Sequence, residues 1–109
     1  MTYEEFKKIT KSDETNPQSS DFTILTADVR YSKAISDFEK ILFSEIATLT
    51  QANGFCYAIN DYFAKCFDKT KEHISRSINN LKKAGFIDTE CIYNNKEVVA
   101  RIITIAKIK

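Results

Sequence analysis

The fold of this chain is decided by the stretch that runs from Thr70 to Gly85, TKEHISRSINNLKKAG. Thr70 is a good helix N-cap, and Gly85 favours the positive φ at which helices end. Between them Ile74, Ile78 and Leu81 recur at i, i+4 and i+7, which places all three within about 60° on a helical wheel. The stretch therefore predicts an amphipathic helix with one apolar face.

A shorter helix is predicted just before this one. Asn60 is suited to cap it, and Asp68-Lys69 breaks its pattern before Thr70. Its apolar face comprises Tyr62, Phe63, Cys66 and Phe67. A short helix, a tight turn and a longer helix then stand in a row, which is the order of a helix-turn-helix unit.

A first long helix is predicted over residues 36–53. Ser36 and Glu39 have the spacing of a capping box, and Asn53-Gly54 is a good C-terminal signal. Short extended segments are predicted on either side, at residues 22–31 and 55–59, because β-branched and aromatic residues are frequent there.

The end of the chain predicts a β-hairpin. Phe86 to Tyr93 and Val98 to Ile108 are rich in β-formers, and Asn94-Asn95 is able to adopt positive φ in a tight turn. The element order predicts an α+β fold, a winged helix-turn-helix with a three-helix core and a C-terminal hairpin as the wing.

The N-terminal residues 1–21 are predicted to be an arm and a polar linker outside a domain formed by residues 22–109. Residues 11–21 contain the only Pro and no apolar period, so we expect a mobile linker. Tyr3, Phe6 and Ile9 predict a short amphipathic helix that docks on the domain or on a partner.

Apolar periodicity also predicts which side chains form the core. They are Ile24, Phe38, Ile41, Leu42, Ile46, Leu49, Phe63, Phe67, Ile74, Ile78, Leu81, Phe86, Ile87, Ile92 and Ile103.

Length and composition are typical of one compact domain. The chain has 109 residues, of which 43% are apolar, and contains no stretch long enough to cross a bilayer. The N-terminus lacks the apolar core of a secretory signal, so we expect a cytoplasmic protein without a membrane partner. Cys56, Cys66 and Cys91 fit neither a disulfide framework nor a zinc site, and are expected to be small buried hydrophobes.

Positive charge is concentrated in the predicted helix-turn-helix. The whole chain carries +1, whereas residues 62–83 have six basic and two acidic side chains. A local excess of this kind is able to bind a polyanion, because contact charge near the phosphates matters more than the total.

The side of the third helix opposite its apolar face is predicted to contact DNA. Glu72, Arg76, Asn79 and Lys83 form that side, while His73, Ser75 and Asn80 flank it and Lys71 lies in the first turn. Such side chains address base edges and phosphates in a major groove. With the wing tip, the candidate DNA-binding residues are Lys71, His73, Ser75, Arg76, Asn79, Asn80, Lys82, Lys83, Asn95 and Lys96. The alternative is an ordinary solvated face on which Glu72 pairs with Arg76.

Residues 21–105 resemble the winged helix-turn-helix domains of replication initiators and replisome organisers in phages and plasmids of low-GC Gram-positive bacteria. The strings that carry the resemblance are Val29-Arg30-Tyr31, Lys40-Ile41-Leu42-Phe43 with Glu45-Ile46, Gly54-Phe55-Cys56-Tyr57-Ala58 with Asn60, Tyr62-Phe63-Ala64, Ile74-Ser75-Arg76, Leu81-Lys82-Lys83 and Gly85-Phe86-Ile87. The resemblance implies double-stranded DNA as the partner, in replication initiation or transcription regulation.

The resemblance also implies roles for particular residues. The third helix would be the recognition helix, with base or backbone contacts from Ser75, Arg76 and Asn79 and phosphate contacts from Lys71, Lys82 and Lys83. The hairpin would be the wing. The chain departs from the family at Glu72, where a basic residue is common, and at Ser77, where an aromatic one is.

A second class of function stays open beside DNA binding. A small phage protein of this size is able to use a winged helix to bind and inhibit a host protein or ribonucleoprotein, and the acidic first half suits that role. A homodimer through residues 36–53 and the N-terminal arm is also expected. With two Gly and one His there is no phosphate loop and no evident catalytic constellation, so we expect no enzyme, metal or cofactor.

Overall fold

The described residues fold as five helices followed by a two-stranded antiparallel hairpin. The computed structural model describes residues 1–10, 23–51 and 53–106, so the predicted linker at 11–21 and Ile108 lie outside the described residues. The helices are α1 (Tyr3–Thr10), α2 (Ala27–Arg30), α3 (Asp37–Leu49), α4 (Asn60–Phe67) and α5 (Lys71–Lys83), and the strands are β1 (Ile87–Asn94) and β2 (Glu97–Ile105). This is the predicted α+β winged helix-turn-helix.

The predicted capping box begins α3. The Ser36 hydroxyl accepts a hydrogen bond from the Glu39 backbone N–H at 3.1 Å, and the Glu39 carboxylate accepts one from the Ser36 N–H at 2.8 Å. The helix ends at Leu49 rather than at the predicted residue 53. A turn follows it, because the Gly54 N–H bonds to the Thr50 carbonyl and Gly54 adopts a φ of 83°.

The main core lies where α3, α4 and α5 meet one face of the hairpin. Ten of the predicted core residues are buried in it, namely Leu42, Ile46, Leu49, Phe63, Ile74, Ile78, Leu81, Phe86, Ile87 and Ile103. Phe38 and Phe67 are half-buried and pack against its edge, with their ring centroids 5.5 Å apart. Helical periodicity therefore located seven of these ten residues, and the predicted hairpin contributes the other three, Phe86, Ile87 and Ile103.

Two predicted core residues are exposed. Ile24 is 78% exposed and Ile41 is 51% exposed. On α3 the buried face runs through Leu42, Phe43 and Ile46, so Phe43 rather than Ile41 completes it. Phe43 also packs its ring near Phe86, with the centroids 6.1 Å apart.

The extended segment predicted at residues 22–31 is wrong over its second half. Ala27–Arg30 is the short helix α2, and Val29 is its one buried residue. The Arg30 guanidinium donates to the Leu25 carbonyl at 2.9 Å, which closes the turn. Among the described residues the sheet holds only β1 and β2, so this segment has no partner strand to keep it extended.

The hairpin turn lies one residue later than predicted. Its two central residues are Asn95 and Lys96, with φ of 59° and 93°, instead of Asn94 and Asn95. Both positive φ values match a type I′ turn, which follows the right-handed twist of the strands. The register shifts after Ile92, which adds a bulge on β2 near this end of the wing.

The hairpin has two apolar faces, and α1 covers one of them. Phe6 of α1 packs against Phe55, Tyr57, Ile92 and Ile102 in a second cluster, with ring centroids 6.2 Å from Phe55 and 5.6 Å from Tyr57. The α1 helix predicted from the N-terminal periodicity therefore docks on its own chain. The division of the chain into an arm of residues 1–21 and a domain of residues 22–109 stays a prediction.

The segment predicted to be extended at residues 55–59 lies beside β2. Cys56 and Ile103 exchange two backbone hydrogen bonds, of 2.8 and 2.7 Å, in an isolated antiparallel bridge. This bridge ties the stretch before α4 to the middle of the wing.

The cysteine prediction holds for one residue of the three. Cys56 is fully buried in the main core, whereas Cys66 and Cys91 are exposed, and all three are free thiols. Cys66 is exposed on α4, where Phe63 and Ala64 take the buried positions, and Cys91 is exposed on β1 opposite Arg101, beyond the edge of the main core.

Truncation of a buried side chain on α5 should cost far more than truncation of an exposed one on α3. Leu81→Ala should lower the free energy of unfolding by about 2–5 kcal/mol, because it leaves a cavity in the core. Ile41→Ala should change it by less than about 0.5 kcal/mol. Urea denaturation followed by circular dichroism measures both, and equal losses would contradict the assignment of the buried faces.

The three thiols should differ in reactivity. Burial raises the pKa of the Cys56 thiol to about 11, so its nucleophilic thiolate is nearly absent from the native protein at about pH 8. Iodoacetamide should therefore label Cys66 and Cys91 in the native state and Cys56 only in denaturant, as read by peptide mass spectrometry. Labelling of native Cys56 as fast as Cys66 would contradict its burial.

Candidate nucleic-acid interface

A three-residue connection joins the two helices of the helix-turn-helix. Asp68 ends α4 in the left-handed conformation with a φ of 54°, and the Lys69 N–H bonds to the Ala64 carbonyl at 3.0 Å. Thr70 then begins α5 as predicted, because its hydroxyl accepts a hydrogen bond from the His73 N–H at 3.0 Å.

The predicted cap of α4 is wrong. Ile59 occupies the N-cap position without a side-chain cap, and Asn60 is the first residue inside the helix. The Asn60 side chain is used elsewhere, since its carbonyl oxygen accepts a hydrogen bond from Arg101 of the wing at 2.7 Å. Asn60 is the right residue type for a helix cap, but its side chain makes this long-range hydrogen bond instead.

The inner and outer sides of α5 lie where the helical wheel predicts them. Ile74, Ile78 and Leu81 are buried, and Ser77 is buried beside them with its hydroxyl bonded to the His73 carbonyl at 2.9 Å. The exposed side chains are Lys71, Glu72, Ser75, Arg76, Asn79, Asn80, Lys82 and Lys83.

The cationic side chains of α5 are not neutralised within the described parts of the chain. None of the ion pairs found there involves α5, so Arg76 does not pair with Glu72. The surface defined by Lys71, Ser75, Arg76, Asn79, Lys82 and Lys83, named the α5 face below, therefore presents its charges to solvent, with the exposed Glu72 among them.

Asn80 is held by a buried carboxylate from α3. Its amide donates to the second oxygen of Glu39 at 2.8 Å, and Glu39 is only 6% exposed. The first oxygen of the same carboxylate closes the capping box with Ser36. The Asn80 side chain thus fixes α5 against α3.

His73 lies in an aromatic cluster beneath the turn. Its ring is half-buried with the centroid 5.1 Å from that of Phe38, and the Lys69 ammonium lies 5.4 Å from the same Phe38 centroid on another side. Lys69 is an exposed cation next to α5 that was not among the predicted site residues. In the sequence, only the local excess of basic residues at 62–83 indicates a role for Lys69.

The wing tip carries the other predicted residues. Asn95 and Lys96 form the turn and are exposed, and the cross-strand pair Tyr93 and Val98 beside them is also exposed, each at 56%. The structure thus places the predicted DNA-binding residues on two separate elements, α5 and the end of the hairpin.

A comparison with protein families decides the class of this unit. The model described as "Helix-turn-helix domain" matches residues 33–87, just over half of the chain. The chain belongs to the helix-turn-helix domain family. No curated protein and no solved structure shows significant similarity to it.

The family match spans α3, α4 and α5 and ends as the hairpin begins. It includes all eight predicted site residues of α5 and leaves out α1, α2 and nearly all of the wing. Membership in the helix-turn-helix family indicates DNA binding, and it carries no assignment to replication or to transcription.

The described residues were also searched for metal sites and for membrane-spanning helices. No group of three or more His, Cys, Asp and Glu side chains there is placed to hold a metal ion. Across residues 1–10, 23–51 and 53–106, no helix is both long and apolar enough to cross a membrane.

Two neighbouring asparagines on α5 should differ in their effect on stability. Asn80→Ala should lower the free energy of unfolding by about 1–3 kcal/mol, because it leaves one oxygen of the buried Glu39 carboxylate without a donor. The exposed Asn79→Ala should have an effect near zero. Thermal and urea denaturation measure both, and an unchanged stability of Asn80→Ala would show that the Glu39 contact is dispensable.

Proposed function

We propose that this chain binds double-stranded DNA with α5 lying in the major groove. The observation that carries the proposal is the α5 face, on which four cations and two small polar side chains point to solvent without a carboxylate partner in the described residues. A single α-helix fits the major groove of B-DNA, and its outward side chains then meet base edges and phosphates.

Arg76 is the base-reading residue in this proposal. It is the one Arg on α5, it is exposed, and no described residue pairs with it. Its guanidinium is able to donate two parallel hydrogen bonds to a guanine edge, a geometry that a Lys ammonium lacks. Ser75 and Asn79 adjoin Arg76 on the α5 face and add shorter polar contacts.

Phosphate contacts are assigned to the lysines and to the wing tip. Lys71 lies in the first turn of α5 and Lys82 and Lys83 lie in the last, so the three flank the central polar residues. Asn95 and Lys96 would contact a neighbouring stretch of backbone from the hairpin turn. Such contacts set register and affinity and carry no sequence information of their own.

His73 and Asn80 have a narrower role in the proposed interface. The His73 ring packs on Phe38, and the Asn80 amide uses one of its two N–H groups on Glu39, so its second N–H and its carbonyl oxygen are what it offers a nucleic acid while that bond is kept. Both residues are assigned mainly to holding α5 in place.

The cellular role proposed for this binding is replication initiation. Its support is the resemblance of residues 21–105 to initiator and replisome-organiser domains of phages and plasmids. Footprinting across the DNA that surrounds the gene tests it. Repeated sites beside an A·T-rich segment would support an initiator, and a single site over a promoter would instead indicate a transcription regulator.

A homodimer through residues 36–53 and the N-terminal arm stays a prediction. Phe6, the main apolar residue of the arm, is already buried within its own chain, so α3 would have to supply most of the contact. Light scattering with and without DNA tests the pairing.

Two substitutions on α5 should separate base reading from phosphate contact. Arg76→Ala should weaken binding to a selected preferred duplex by about 1–3 kcal/mol and binding to random duplex very little. Lys83→Ala should weaken both to the same degree and reduce the slope of log affinity against log salt by about one. Fluorescence anisotropy at about 50 and 200 mM salt measures these effects.

The same assay decides whether the proposal stands. If Arg76→Ala weakens binding to both duplexes by the same factor, Arg76 contacts phosphate instead of bases. If the unmutated protein shows no salt-dependent binding to any duplex, the proposal is wrong, and a protein or ribonucleoprotein partner becomes the leading function.

A further inference from the structure

The wing is fastened to the helix-turn-helix by one forked side chain. Arg101 of β2 lies opposite Cys91 in the hairpin register, and its guanidinium reaches back to the start of α4. One terminal nitrogen donates to the Asn60 side-chain oxygen at 2.7 Å, and the other donates to the Ala58 carbonyl at 2.8 Å. The fork thereby spans the end of the extended segment and the first residue of α4.

Arg101 makes the hydrogen bonds to the helix-turn-helix that lie closest to the wing tip. The backbone bridge between Cys56 and Ile103 lies two residues further from the tip. Between Arg101 and the turn at Asn95 and Lys96, no described hydrogen bond or ion pair connects the hairpin to α4 or α5. The distal wing is therefore held by this fork on one face and by the cluster of Ile92 with Phe55 and Tyr57 on the other.

Holding the Arg101 guanidinium in this position has an electrostatic cost. The guanidinium has no carboxylate within ion-pair distance in the described residues, its Nε–H is buried without a partner, and its burial lowers the pKa of the group. An apolar side chain of similar volume would avoid this desolvation cost. What an apolar side chain lacks is the rigid pair of donors that holds two separate points at once.

We propose that Arg101 is a positioning residue that fixes the wing against the start of α4, so that the wing tip and the α5 face meet the same duplex. The contact of both surfaces with one duplex rests on the proposed DNA binding, whereas the positioning of the wing is measurable in the free protein.

Residual dipolar couplings of backbone amides test the positioning in the free protein. In the unmutated chain a single alignment tensor should fit the amides of α4, α5 and the wing. In Arg101→Met the amides of residues 93–99 should no longer fit the tensor of the helices. Asn60→Ala, which keeps the cation and removes one acceptor, should shift the same amides to a smaller extent.

Arg30→Met is the matched control. Arg30 also donates to a backbone carbonyl, that of Leu25, but it lies on α2 and makes no described contact with the wing. In Arg30→Met a single alignment tensor should fit α4, α5 and the wing, as in the unmutated chain. A single tensor for the helices and the wing in both Arg101→Met and Asn60→Ala would overturn the proposal, and Asn60→Ala alone decides it if Arg101→Met fails to fold.

Lys96→Ala in two backgrounds tests the consequence for DNA. With Arg101 present, loss of the wing-tip cation should weaken duplex binding about fivefold. With Arg101→Met, the same substitution should change affinity by less than about twofold, because the wing no longer reaches the duplex in a fixed position. Equal losses in the two backgrounds would overturn the proposed role in binding. Absence of duplex binding by the unmutated protein would overturn the DNA function, and the dipolar couplings would still decide the positioning.

Discussion

The carboxylate of Glu39 is the point on which the arrangement of the helices depends. One oxygen closes the capping box at the start of α3, and the other accepts the Asn80 amide near the end of α5. The group is shielded from water, so each of these two hydrogen bonds offsets part of the cost of burying it. The rotation of α5 that keeps Ile74 and Leu81 inside and Arg76 outside is therefore coupled to the start of a helix 41 residues earlier in the chain.

Elements defined by local chemistry were predictable from the sequence, and elements defined by distant partners were not. The caps at Ser36 and Thr70 and the apolar period of α5 depend on neighbours within one or two turns, and all were confirmed. The segment at 22–31 has strand-forming composition, but a strand requires a partner and none of the described elements offers one. Asn60 has the chemistry of a cap, and a wing residue uses that chemistry instead.

The candidate site also divides into features set by local sequence and features set by distant contacts. The outer face of α5 is a matter of helical geometry, so the exposure of Arg76 and Lys83 could be predicted from spacing alone. The hydrogen bonds of Glu39 with Asn80 and of Arg101 with Asn60 join residues far apart in sequence, and no periodic pattern indicates them. The residues that present the interface were thus predictable, whereas the residues that hold it in position required the structure.

The conformation of Lys96 sets a limit on the rigidity of the hairpin. A type I′ turn favours Gly at its second central position, because a side chain with a Cβ is crowded at positive φ. Here a lysine takes that position with a φ of 93°, next to Asn95 at 59°. The tip thus combines an unfavourable backbone conformation with few buried neighbours, and local opening is easiest where those two conditions meet. Fraying of the strands should begin at the turn and stop at the pair of Ile92 and Ala100, because Ile92 is fully buried, so the wing is compliant only in its last few residues.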